Sequence, residues 1–108
     1  MKLLVTIVQD QDAPDLLEAL VEEGFGATKL ASTGGFLRVG NTTILIGVEE
    51  EKVAAVLNLV KRTCKQREQY DSVPIIPFEK GTAPPRMEKV VVGGAIIFMV
   101  SVERFEKI

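Results

Sequence analysis

The chain has no histidine and one cysteine, Cys64, among its 108 residues. Without histidine there is no Ser-His-Asp or Cys-His nucleophile, no imidazole-bound zinc and no histidine proton shuttle. With one thiol there is no internal disulfide and no CxxC site, which fits a reducing, cytoplasmic setting. Positive charge is also short: the formal net charge is −2 and the pI about 5.2. A protein that tracks a nucleic-acid backbone is normally basic, so no nucleic acid polymer is expected as a partner. Long apolar runs are missing. The longest, Val90 to Val100, is broken by Gly93-Gly94 and falls well below the ~20 residues of a membrane span, so no membrane is expected either. The opening MKLLVTIVQDQD lacks a small-residue cleavage site and turns acidic at Asp10, so it reads as a first strand and not as a signal peptide.

Hydrophobic residues make up 46% and charged residues 26%, the balance of one soluble globular domain spanning residues 1–108. KLLVTIV (2–8) reads as a buried strand. Asp12 can cap a helix with Pro14 in its first turn. Ala13, Leu16, Leu17 and Leu20 form one face of it, and Gly24 stops it. ATKLAST (27–33) and TTILIGV (42–48) read as strands around a glycine-rich turn, GGFLRVGN. Gly47 inside the second suggests a bulge or a close backbone approach. Glu49, Glu50 and Glu51 open a second helix with the stripe Val53, Val56, Leu57, Val60 and Cys64; Lys61, Arg62, Lys65 and Arg67 gather near its end. On that stripe Cys64 is a core residue. Residues 68–88 hold Pro74, Pro77, Pro84 and Pro85 and read as a long irregular loop, a kind of segment that tends to carry function. EKVVV (88–92) and AIIFMVSV (95–102) form a last extended stretch bent at Gly93-Gly94.

The order β-α-β-β-α-β, with helices on one face of an antiparallel sheet, is the ferredoxin-like arrangement, an α+β fold. Both parities of KLLVTIV, TTILIGV and AIIFMVSV carry Val, Ile or Leu. A sheet apolar on both faces needs a second cover, and in so short a chain a further copy of itself supplies one.

As a catalyst the sequence is poor. No carboxylate pair stands out as a desolvated acid/base set, Asp10 and Asp12 match no complete calcium loop, and there is neither a GxGxxG in a Rossmann context nor a GK[ST]. No enzyme, cofactor or metal is expected. One segment is richer than its structure needs: TKLASTGGFLRVGNTTILIG, residues 28–47. S-T-G-G offers hydroxyls and open backbone N–H groups, the materials of an anion nest. Phe36 places an aromatic on a loop, and Asn41 offers both donor and acceptor. These parts suit a nucleotide, and equally a glycine-rich hairpin loop with one hydrophobic plug.

The string TGGFL-x-x-GNTT-x-x-IGVE, with the opening MKLLVTIVQDQD and the ending VGGAIIFMVSVERFEKI, resembles the PII-like cyclic-di-AMP receptor proteins of bacteria. The match covers most of the chain, and only the proline-rich stretch diverges freely. The resemblance implies a PII-like, ferredoxin-like fold with helices on one sheet face and homotrimer packing on the other. It also implies a cytoplasmic signal transducer without catalysis, cyclic di-AMP bound at subunit interfaces, and loop rearrangement read by a downstream protein. It implies ligand contacts at Thr28, Gly35, Phe36, Leu37, Asn41, Gly47 and Phe98. Thr28 and Asn41 would hydrogen-bond the ligand, the backbone of Gly35 to Leu37 would meet phosphate or base, Gly47 would permit close approach, and Phe36 and Phe98 would offer apolar or aromatic surface.

One departure stands out. Family members that bind cyclic di-AMP usually carry Asn and Arg where this chain has Gly24 and Gly26. Loss of a charge-assisted hydrogen bond is worth about 1.5–3 kcal/mol, roughly 10- to 150-fold in affinity. An alternative reading follows: a PII-like trimeric interaction module that takes another small ligand, or only a protein partner.

Overall fold

A computed structural model of the chain describes residues 1–32, 40–73 and 86–108. Its elements are β1 (Lys2–Gln9), α1 (Ala13–Glu22), β2 (Gly26–Ser32), β3 (Asn41–Val48), α2 (Val53–Cys64), β4 (Arg67–Val73), β5 (Arg86–Val92) and β6 (Ala95–Ser101). The main sheet has the order β2-β3-β1-β6, and every neighbouring pair is antiparallel. This is the ferredoxin-like α+β sheet. Between α2 and β6 it carries a separate two-stranded ribbon, β4-β5.

The ladder decides which side chains meet the helices. Leu4, Thr6 and Val8 stand opposite Ile46, Ile44 and Thr42, and Leu4, Val8, Ile44 and Ile46 join one buried cluster with α1 and α2. From α1 come Ala13, Leu16, Ala19 and Leu20. From α2 come Val56, Leu59, Val60 and Cys64. Each fully buried Leu, Ile or Val contributes about 1.5–3 kcal/mol through area removed from water. The α2 stripe is turned slightly from the expected one: Leu59 is buried, whereas Val53 and Leu57 pack at the margin of the cluster. The helix also starts later than the acidic run suggests, since Glu50–Lys52 form a single 3-10 turn before it.

Asp12 does not cap α1 with its side chain. Its carboxylate accepts from Arg67 instead, Nη2 to Oδ1 at 2.7 Å and Nη1 to Oδ2 at 3.3 Å. Only 4% of the Asp12 side chain is exposed. A nearly buried carboxylate needs a cation more than the helix end needs a cap, and the bond to Asp12 in turn pushes the Arg67 guanidinium further up from its ordinary value.

Residues 68–88 are not irregular throughout. Arg67–Val73 pairs in register with Arg86–Val92, and only 74–85 lies outside the described residues. The last extended stretch is likewise two strands in two sheets. Gly93 and Gly94, at φ +86° and +91°, separate them. The Gly93 N–H donates to Gln9 Oε1 at 2.6 Å, and the Gly94 N–H donates to the Cys64 carbonyl. The ribbon was hard to read because much of its described surface stays in water. Tyr70 and Val91 stay exposed, so REQYDSV shows no alternation. The radius of gyration is 18.0 Å, where about 13 Å suits a compact chain of this size.

The second face of the main sheet carries Leu3, Val5 and Ile7 of β1, Leu30 of β2, Leu45 of β3, and Ile96, Phe98 and Val100 of β6. No helix covers it. Leu30, Phe98 and Val100 remain exposed, in line with the expected two-faced apolar sheet.

Candidate functional site

Register places side chains of the open face in transverse rows. One row runs Phe98, Val5, Leu45, Thr28, and the next runs Val100, Leu3, Gly47, Gly26. At the β2-β3 end of these rows lies a cavity of about 540 Å³. Leu3, Leu45, Gly26, Thr28 and Gly47 line it from the sheet, and Met1, Val102 and Phe105 line it from the chain ends. Val102 is tied there by its N–H, which donates to the Met1 carbonyl at 3.1 Å. The walls are apolar except for the Thr28 hydroxyl and backbone groups. Among the described residues no charged side chain lines the cavity.

Two of the expected ligand residues, Thr28 and Gly47, therefore share one cavity. Gly47 sits in an unbroken ladder, with Leu3 on one side and Gly26 on the other. It marks neither a bulge nor a tight approach, since a Cβ there would meet nothing within 4 Å. It keeps the cavity floor open. Phe98 belongs to the same face but lies three strand spacings from Thr28, about 14 Å. Asn41 opens β3 at the other end, six residues from Gly47 and hence about 20 Å along the strand, and it is 3% exposed. It lies in a strand and not in a left-handed turn, because no described residue other than glycine has positive φ. Gly35, Phe36 and Leu37 lie outside the described residues. The backbone just after them is pinned: the Asp10 N–H donates to the Gly40 carbonyl at 3.0 Å, and Thr42 Oγ1 donates to Asp10 Oδ1 at 2.6 Å.

Gly26 is part of the cavity wall, and a Cβ on it would also meet nothing within 4 Å. A longer side chain at this position would therefore enter this space, and glycine leaves it wider and without a charged side chain. Phe105 is the wall residue that sequence reasoning passed over. The available signal was an aromatic within the otherwise charged run ERFEK.

A smaller cavity of about 220 Å³ lies between the end of α2 and β6, lined among others by Leu57, Val60, Cys64 and Lys65. Burial pushes the Cys64 thiol above its ordinary value, so it stays protonated near neutrality and packs as a core side chain. Among the described residues no group of three or more acidic or cysteine side chains could hold a metal ion, and no helix is long and apolar enough to cross a membrane.

Compared with known proteins, the chain matches a family model described as the cyclic-di-AMP receptor over residues 1–108. It is also similar to a crystal structure of a functionally unknown protein from Pediococcus pentosaceus ATCC 25745. The TM-score is 0.77 at 41% sequence identity, covering 99% of this chain and 96% of that one.

Proposed function

The chain belongs to the cyclic-di-AMP receptor family, and from that premise we propose that it senses cyclic di-AMP in sites shared by neighbouring subunits of a trimer. The observation that carries the reading is the spread of its ligand residues. Thr28, Gly47, Asn41 and Phe98 all map to the open sheet face. Within one chain Thr28 and Gly47 sit together, but Phe98 lies about 14 Å from Thr28 and Asn41 about 20 Å from Gly47, too far for one adenosine unit to reach them all. A second copy laid on that face would bring its own residues against the first copy's cavity. It would also take Leu30, Phe98 and Val100, exposed in the single chain, out of water.

The chemistry of the cavity suits the nucleoside part of such a ligand. Apolar walls take a base, the Thr28 hydroxyl meets its polar edge, and Gly26 and Gly47 leave backbone open. Phosphate falls to Gly35, Phe36, Leu37 and Asn41, on and beside the glycine-rich segment. Ligand binding then signals through loop rearrangement, and a downstream protein reads the change. On this reading the protein is a cytoplasmic binding module and not an enzyme.

The test is cyclic di-AMP titration of Phe36→Ala and Asn41→Ala with the assembly state measured alongside. Affinity should fall in both while the trimer persists. Wild-type affinity in both would refute the site. The uncharged wall at Gly26 favours the second reading, a PII-like trimer that takes another small ligand or only a protein partner. That reading predicts no thermal stabilisation by cyclic di-AMP.

A further inference from the structure

Phe105 borders the cavity while 66% of the residue remains in water. Leaving that much apolar area solvated is unfavourable at about 25 cal/mol per Å², so the fold gains little from this ring where it stands. The chain leading to it is tied down three residues earlier, where the Val102 N–H is bound to the Met1 carbonyl and Lys2 Nζ donates to Ser101 Oγ at 2.8 Å. The rest of the lining is aliphatic or backbone, with the Thr28 hydroxyl as its polar side-chain group. A purine presents two flat faces and a polar edge. Among the described lining residues Phe105 is the one that offers such a face. Phe98, expected from the sequence to supply aromatic surface, stands about 14 Å from Thr28 on the far edge strand.

We infer that Phe105 is a ligand-contacting residue whose ring stacks on the adenine held at Thr28. The inference rests on the cyclic di-AMP reading above and adds to it a residue from the C-terminal tail. Phe98 then serves a different contact, on the neighbouring subunit's side of the site.

The chain has no tryptophan, so Phe105→Trp introduces a single reporter at the stacking position. Val21→Trp, on an α1 residue 69% exposed and away from the open face, is its control. With cyclic di-AMP the Phe105→Trp emission should be quenched saturably and the Val21→Trp emission should not change. By calorimetry Phe105→Ala should bind about 5- to 150-fold more weakly, the range for removing one base–aromatic stack. Phe105→Leu should also bind more weakly, because it keeps apolar bulk but no aromatic face. Both free variants should melt close to the wild type. Wild-type affinity in Phe105→Ala, or no quenching in a Phe105→Trp protein that binds, overturns the stacking role and leaves the cyclic di-AMP reading standing. No binding by the wild-type chain overturns both.

Discussion

Replacing Gly93 by alanine perturbs the point where the ribbon leaves the main sheet. Two costs add there. At φ +86° an L side chain is strained by about 1–2 kcal/mol. The new Cβ would also lie 2.5 Å from the Lys65 carbonyl oxygen and 3.1 Å from that of Cys64. Both atoms are backbone at the end of α2, and the Cys64 carbonyl already accepts the Gly94 N–H, so relief means moving the helix end or breaking that bond. Overpacking of this kind costs about 1–3 kcal/mol. Together these give a loss of about 2–5 kcal/mol, which for a domain near 100 residues lowers the melting temperature by roughly 10–30 °C. Urea unfolding followed by circular dichroism at one fixed protein concentration measures it, because an oligomer's apparent stability depends on concentration. Gly26→Ala is the control: φ is not positive and nothing lies within 4 Å of its Cβ, so its effect should stay within about 0.5 kcal/mol. A Gly93→Ala protein as stable as Gly26→Ala would refute the account of this junction.

Three further outcomes follow from particular residues. Burial raises the Cys64 thiol from its ordinary value of 9.0, so the folded chain holds its proton more tightly than the unfolded one. That stability is fully present below about pH 9 and declines as pH rises above it. Cys64→Ala should be less stable at neutral pH but should lose part of this alkaline slope in denaturation curves. Gly26→Arg should tighten cyclic di-AMP binding by about 10- to 150-fold, since the side chain would bring a guanidinium into an uncharged cavity; an unchanged affinity would mean the missing arginine is not what sets it. Val5→Lys, at the centre of the open face, should disperse the proposed trimer in sedimentation while the circular dichroism of the chain persists. An intact trimer would remove that face from the interface.

Much of the fold was legible because its signals are local. The period of Ala13, Leu16 and Leu20, the β-branched runs and the acidic entry to α2 each announce an element. The ribbon was not legible, since Tyr70 and Val91 stay exposed and its strands show no regular buried side to alternate against. Asp12 misled for a different reason: its local context offers a cap, but its partner, Arg67, is 55 positions away. The site shows the same division. Thr28 and Gly47 share a cavity because neighbouring strands carry them. Phe105 reaches that cavity only through the tail's return past Met1, which no spacing rule reports. Asn41 and Phe98 share a face with them and no cavity, as residues of a site split between copies would.

The shared site is the central claim, and one experiment addresses it directly: calorimetric titration of cyclic di-AMP into the wild-type chain and into Val5→Lys, with ATP and cyclic di-GMP as controls and the assembly state measured on the same samples. The account predicts one saturable cyclic di-AMP site per subunit in a wild-type trimer, silent controls, and no binding by the dispersed variant. Full affinity in a dispersed monomer would contradict the shared site. No heat and no rise in melting temperature with the wild type at millimolar ligand would contradict the sensor itself.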